Sequence, residues 1–86
     1  MTAINEIVNV NSFYFQDYFQ NGHGLRSFPK QIEFGNTRCT FESGLQYLIK
    51  KGQHVVKLFD MTDGRTTYRL RLEDDTWTLV GTRAMS

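Results

Sequence analysis

The chain contains 86 residues, of which 40% are hydrophobic and 14% aromatic, and its formal net charge is +1. The length predicts a single domain over residues 1–86, and the composition is that of a globular chain rather than a disordered one. The near-neutral charge argues against electrostatic capture of nucleic acid or a membrane by the molecule as a whole, and no apolar run reaches the roughly 20 residues that span a bilayer. The first ten residues lack a signal-peptide pattern and Cys39 is the only cysteine, so we predict a cytoplasmic protein without a membrane partner.

The N-terminal aromatic segment, residues 11–19, admits two interpretations. A helix over this segment would bring Phe15 and Tyr18 to one side, whereas the alternation of Phe13 and Phe15 with other residues would equally suit an edge strand. We favour the helix. Residues 21–30, which contain two glycines, predict an irregular surface loop.

A hairpin is predicted over residues 30–39, because apolar residues alternate with polar ones before the pair Gly35 and Asn36, which suits a tight turn. A two-residue loop fixes the register of the two strands. It predicts the cross-strand neighbours Ile32 with Cys39, Phe34 with Thr37, and Glu33 with Arg38.

The segment from Phe41 to Lys51 predicts a helix. Its apolar residues recur at helical spacing, and the cations and glycine at its end are typical of a helix C-terminus. The spaced apolar residues are Phe41, Leu45, Leu48 and Ile49. Gly44 weakens this prediction, because a glycine inside a helix costs about 1 kcal/mol relative to alanine.

The last third of the chain predicts a three-stranded antiparallel meander. Its strands follow the runs HVVKLFDM, TTYRLRL and TWTLVGT, which are joined by turns at Asp63-Gly64 and Asp74-Asp75. Alternation of side chains places the apolar residues of the last two strands on one face. The predicted neighbours are Leu72 with Trp77 and Leu70 with Leu79.

These elements together predict an α+β fold. Its antiparallel sheet consists of the C-terminal three-stranded meander and the preceding hairpin, and one or two short helices pack on one face. The first strand of the meander is apolar on both sides, so we expect it to be central in the sheet or covered by another element.

No motif in the chain predicts catalysis. His23, Cys39 and His54 lack the paired spacing of a zinc site, and the seven glycines do not form a phosphate-binding loop. Most carboxylates fall at turns, where they bond the local backbone. Asp60 is the exception, because it follows Phe59 in an apolar strand. It could face Thr67 or pair diagonally with Arg69, and a structural ion pair explains it. We therefore predict no catalytic residue, no metal, no cofactor and no enzymatic activity.

Two features could carry binding. Arg65, Arg69 and Arg71 share the polar face of the second meander strand, and Lys57 and Arg83 could extend this row, depending on the register. Guanidinium groups spaced about 7 Å apart along one strand face can contact successive phosphates or acidic side chains. The second feature is the N-terminal aromatic segment, in which Tyr14 is a candidate contact residue.

The sequence therefore favours a small, non-catalytic interaction module. It would bind another protein, or itself as a homodimer, through the exposed face of the sheet. The first alternative is a nucleic-acid-binding domain that uses the arginine row, whose affinity would fall steeply with salt. The second alternative is an accessory subunit of an enzyme, because so short a chain rarely forms a catalytic pocket alone.

Overall fold

The structure is a computed structural model that describes residues 1–17 and 25–85, and these residues form eight β-strands in two antiparallel sheets. The five-stranded sheet has the order β1-β8-β7-β6-β5, and the three-stranded sheet has the order β2-β3-β4. The strands are β1 (Thr2–Ile7), β2 (Asn9–Asp17), β3 (Leu25–Phe34), β4 (Thr37–Thr40), β5 (Ser43–Lys51), β6 (His54–Thr62), β7 (Thr66–Glu73) and β8 (Thr76–Ala84).

The chain passes between the two sheets at two corners. Only Val8 separates β1 from β2, and its amide donates to the carbonyl of Trp77 at 3.0 Å. Between β4 and β5, the amide of Phe41 donates to Lys30 in the three-stranded sheet and the amide of Glu42 donates to Thr62 in the five-stranded sheet. Because backbone groups at the corners remain paired, the two sheets form one continuous structure.

The core lies between the facing sides of the two sheets. Its buried side chains are Val8, Phe28, Ile32, Cys39, Phe41, Phe59, Met61, Leu70 and Leu79. Phe28 meets Phe59 edge to face, with ring centroids 6.1 Å apart, and Trp77 packs on Phe59 at 5.1 Å. Each fully buried side chain of this size contributes about 1.5 to 3 kcal/mol, so this layer is the main source of stability.

The predicted helix over residues 41–51 is wrong, because residues 43–51 form strand β5. The same residues that match helical spacing also alternate, since Leu45 and Ile49 lie on one face of β5 with Tyr47 between them. Gly44 explains why this segment forms a strand rather than a helix. It lies opposite Met61 on the core face, where a Cβ would lie 2.8 Å from the backbone oxygen of Asp60.

The N-terminal helix is also wrong. Residues 9–17 form β2, and Tyr14 stacks on Phe28 with ring centroids 5.3 Å apart, while Phe15 faces away and is exposed. Residues 18 and 19 of the predicted helix lie outside the described residues. Of the predicted loop, residues 25–30 belong to β3 and residues 21–24 lie outside the described part of the chain.

The α+β fold class is therefore wrong, since the described residues form an all-β structure without a helix. The single predicted sheet is also wrong, because the hairpin β3-β4 belongs to the three-stranded sheet and the meander β6-β7-β8 to the five-stranded sheet. Both predicted hairpin registers are confirmed. In the three-stranded sheet Ile32 lies opposite Cys39, and in the five-stranded sheet Leu72 lies opposite Trp77. The turn at Asp74 and Asp75 is tight, because both residues have positive φ, at 51° and 60°.

The first meander strand, β6, is central in the five-stranded sheet, where it lies between β5 and β7. Its inward residues Phe59 and Met61 enter the core, whereas Val56 and Leu58 point to the other side of the sheet. The core thus explains why one side of β6 is apolar, but it does not explain the apolar residues on the other side. The other side forms the surface described next.

Candidate interaction surface

The side of the five-stranded sheet that faces away from the three-stranded sheet is here named the outer face. The register of β5, β6, β7 and β8 determines which side chains it carries. They include Ile7, Leu45, Tyr47, Ile49, Val56, Leu58, Asp60, Thr67, Arg69, Arg71, Thr78, Val80 and Arg83. In the described residues no helix or strand packs on this face, so apolar and charged side chains share one open surface.

A shallow depression lies near the middle of the outer face. Its floor is apolar and comes from Ile49, Val56, Leu58 and Val80, while its rim is charged and comes from Lys51, Arg69, Arg71 and Glu73. An apolar floor with a polar rim is the composition that protein-binding patches share. It lacks the convergent acid, base and nucleophile that a catalytic pocket requires.

An ion pair orders the centre of the outer face. The Nε and Nη2 atoms of Arg69 donate to the two carboxylate oxygens of Asp60 at 2.8 and 2.9 Å. These bonds raise the pKa of the Arg69 guanidinium. The paired geometry fixes both side chains and occupies much of the hydrogen-bonding capacity of the arginine. The predicted ion pair between Asp60 and Arg69 is confirmed.

A second polar cluster lies where β7 ends, beside the start of β6. His54 Nε2 is 2.9 Å from Glu73 Oε2, and Arg71 Nε is 3.6 Å from Glu73 Oε1. The hydrogen bond with His54 lowers the pKa of Glu73, and the charge of Arg71 contributes to the same effect. Arg71 is thus also next to a carboxylate, although about 42% of its side chain is exposed.

Within the described residues, His54, Glu73 and Asp74 bring potential metal-ligating atoms within 4.8 Å of one another. The group is partly exposed, and Glu73 is already occupied by His54 and flanked by Arg71. The positive charge of Arg71 opposes a bound cation. We do not assign a metal site to this group, and the absence of a metal site stays a prediction.

Strand β5 forms one border of the outer face and is an edge of the sheet. It pairs with β6 over nine successive residues, and among residues 1–17 and 25–85 no strand pairs with its other side. Four of its large apolar side chains are exposed, namely Leu45 (61%), Tyr47 (46%), Leu48 (47%) and Ile49 (38%). Its link to the other sheet is made by the side chain of Gln46, which donates to the carbonyl of Ser27 at 3.0 Å and accepts from Arg26.

The structure separates the residues that were predicted for binding. Arg69 and Arg71 lie on the outer face as predicted, but Arg65 precedes β7 and lies in the turn after Gly64. Lys57 lies on the opposite side of the sheet, where it faces Leu72. Arg83 lies opposite Thr67 on the outer face. The predicted row therefore consists of Arg69, Arg71 and Arg83 on the outer face, with Arg65 in a turn and Lys57 on the other side of the sheet.

Tyr14, which was predicted to contact a partner, packs against the core instead. Its ring is half-buried against Phe28, and its hydroxyl is buried without a hydrogen-bond partner in the described structure. Burial raises the pKa of Tyr14. Among the described residues of this segment, the exposed aromatic side chains are instead Phe13 and Phe15.

The edge strand β5 was not predicted from the sequence, because its apolar residues were assigned to the buried stripe of a helix. The signal that could have identified it is the alternation of Leu45, Tyr47 and Ile49, each separated by one residue. Alternation over so short a run competes with helical spacing, and the choice depends on Gly44.

Comparisons with protein-family models, curated proteins and solved structures found no match for this chain. In residues 1–17 and 25–85 there is no helix whose length and apolar character would allow it to cross a membrane. The function of this protein is therefore inferred from the chemistry of its own surfaces.

Proposed function

We propose that this chain is a non-catalytic interaction module that binds another polypeptide through its outer face and the adjoining edge of β5. The observation that carries the proposal is the unprotected state of β5. It is a nine-residue edge strand without a bulge or a proline, and its exposed side chains are largely apolar. Edges of this kind bind extended segments, because natural proteins otherwise protect them.

The chemistry of binding follows from strand geometry. An added strand would satisfy the outward backbone groups of β5, while its alternate side chains would contact the apolar residues of the outer face. Leu45, Tyr47 and Ile49 would then lose their exposure to water, which is favourable at about 25 cal/mol per Å² of apolar surface. The charged rim formed by Lys51 and Arg71 would supply selectivity rather than most of the affinity.

The arginines favour a protein partner over nucleic acid. Arg69 bonds Asp60 with both arms of its guanidinium, and Arg71 lies beside Glu73. Phosphate contacts would have to compete with these carboxylates, and the net charge of +1 gives little long-range attraction. An accessory subunit of an enzyme would be a special case of the same binding. The free, buried thiol of Cys39 fits the cytoplasmic location that we propose.

The test is a selection for peptides that bind the folded protein. A display library of random peptides, each long enough to pair with β5, is selected against the parent chain, and the recovered peptides are measured against two double variants. The first variant, Leu45→Lys with Ile49→Lys, adds two positive charges to the side of β5 that belongs to the outer face. The matched control, Phe13→Lys with Phe15→Lys, adds the same charge at two exposed positions of β2 in the other sheet, at 47% and 70%.

We expect peptides with alternating apolar residues to bind the parent and the control alike. The β5 variant should weaken their binding by about tenfold or more, which corresponds to ~1.4 kcal/mol. Failure to recover any peptide, or binding that is lost only in the control, would contradict the proposal. Oligonucleotide binding at physiological salt, lost on Arg65→Gln with Arg71→Gln, would instead support the nucleic-acid alternative.

A further inference from the structure

The residues that β5 presents on the outer face are arranged symmetrically about Tyr47. On the outer face, Leu45 and Ile49 lie two residues before and after it, and both are exposed. A strand with this symmetry can pair with an identical strand that runs in the opposite direction, since each apolar residue on the outer face then lies opposite another. The N-terminal border strand β1 has no comparable symmetry, because its register shifts between Ala3 and Glu6.

We propose that the polypeptide bound at this edge is a second copy of the same chain, paired antiparallel through β5 with the two-fold axis at Tyr47. This inference rests on the proposed function and names the partner of the same surface. It joins two five-stranded sheets into one ten-stranded sheet. Tyr47 lies opposite Tyr47 of the other copy, and Leu45 lies opposite Ile49 of the other copy.

Charge supports the antiparallel direction. The C-terminal end of β5 carries Lys50 and Lys51, whereas Glu42 immediately precedes its first residue. Antiparallel pairing about Tyr47 places Lys51 of one copy opposite Ser43 of the other, next to Glu42 of that copy. Opposite charges at such neighbouring positions stabilise a strand pair. A parallel pair would instead place the lysines of the two copies side by side, and like charges there are unfavourable.

The outer face gives the pair a common apolar surface. Within one copy, Tyr47 faces Leu58 and Ile49 faces Val56 across the ladder with β6. In the dimer these residues continue into the same set on the other copy, so the apolar floor of each depression extends across the axis. The exposed fractions of Leu45 and Tyr47, 61% and 46%, are then reduced by the facing chain.

The second side of β5 is compatible with this register. Gln46 lies opposite Leu48 of the other copy, and Gly44 lies opposite Lys50. Gly44 carries no side chain that could oppose the lysine by charge. Every pair in the register is thus either apolar with apolar or contains a small or polar residue, and no two charges of the same sign are opposed.

The experiment uses the full chain with Cys39→Ala, in which single cysteines are introduced and oxidised by diamide. Tyr47→Cys should give a disulfide-linked dimer, because facing Cα atoms in an antiparallel pair are about 4.5–5.5 Å apart, within the range that a disulfide spans. Leu45→Cys alone and Ile49→Cys alone should remain monomers after denaturation, whereas a mixture of the two should link. Ile7→Cys is the control at the exposed edge of β1.

Sedimentation of the unmodified chain at submillimolar concentration should show a dimer that Leu45→Lys with Ile49→Lys converts to monomer. Self-linking of Leu45→Cys would overturn the antiparallel register. A monomer in sedimentation, together with no cross-link at residue 47 and none between the variants at residues 45 and 49, would overturn the second copy as the partner. If selected peptides still bind that monomer at β5, the proposed function stands; if they do not, both fail.

Discussion

The two edge strands of the five-stranded sheet differ in regularity. In β1 an extra residue shifts the pairing with β8 between Ala3 and Glu6, and Asn5 has a φ of 56°. In β5 nine successive residues pair with β6 without a shift. A bulge twists an edge and interrupts its row of backbone groups, which is a common means of preventing further strand addition. The difference supports β5, rather than β1, as the edge that binds a partner.

The side chains of the two edges reinforce this contrast. Outside its ends, β1 carries Ile4 packed on the core and polar residues around the bulge, and its large exposed apolar residue is Ile7. β5 carries several exposed apolar residues in succession. The pattern of β1 is enough to end a sheet, and the additional exposed apolar residues of β5 agree with the binding role proposed above.

The largest effect is expected from changing the glycines that hold the two edges. A Cβ at Gly44 would overlap the Sδ atom of fully buried Met61 and lie 2.8 Å from the backbone oxygen of Asp60. Gly44→Ala should therefore destabilise the fold by about 2 kcal/mol, because neither β6 nor its core residue can move freely. Chemical denaturation monitored by circular dichroism measures the loss.

Gly81→Ala is the matched change beside β1. Its Cβ would lie 2.6 Å from the carbonyl oxygen of Thr2, but the exposed end of β1 can shift away. We expect a smaller loss, about 1 kcal/mol. An equal or larger loss at Gly81 would show that β1 is held as rigidly as β5, and the contrast between the edges would then lie only in their surfaces.

The part of the fold that was predicted correctly is the part with strong local turn signals. Asp74 with Asp75, and Gly35 with Asn36, set their hairpins locally, so the register followed from alternation alone. The errors occurred in β2 and β5, where apolar residues satisfy both helical and strand spacing. Their conformation is decided by partners distant in sequence, such as the contact of Gly44 with Met61.

The candidate site was predictable only in part for the same reason. The outward direction of Arg69 and Arg71 follows from the period of β7, whereas the position of Lys57 depends on the register between β6 and β7. No local signal fixed that register relative to the arginines. The exposed border of β5 could not be found while its residues were assigned to a buried helical stripe.

A moderate effect is expected at the bulge that protects β1. Asn5 has positive φ, a conformation that asparagine and glycine tolerate and that β-branched residues avoid. Asn5→Val should destabilise the fold by about 1 kcal/mol, whereas Asn5→Gly should be nearly neutral. Thermal unfolding of the two variants measures the difference. Equal stability of both would indicate that β1 does not need the bulge, and the comparison of the edges would lose its structural basis.

The smallest effect is expected at the polar cluster beside the C-terminal end of β5, where His54 pairs with Lys51 in the ladder and contacts Glu73. The hydrogen bond with His54 lowers the pKa of Glu73 below its ordinary 4.5. Because the pKa is lower in the folded state, any stabilisation is present above pH 4.5 and is lost as the pH falls through the folded value. A carbon-detected NMR titration of the Glu73 carboxyl group should show this depression in the parent. His54→Ala should return the pKa toward 4.5 and Arg71→Gln should move it less, while both leave the unfolding midpoint at neutral pH almost unchanged. A marked loss of stability in His54→Ala would mean that this cluster, rather than the backbone ladder and Gly44, holds the end of β5 on the sheet.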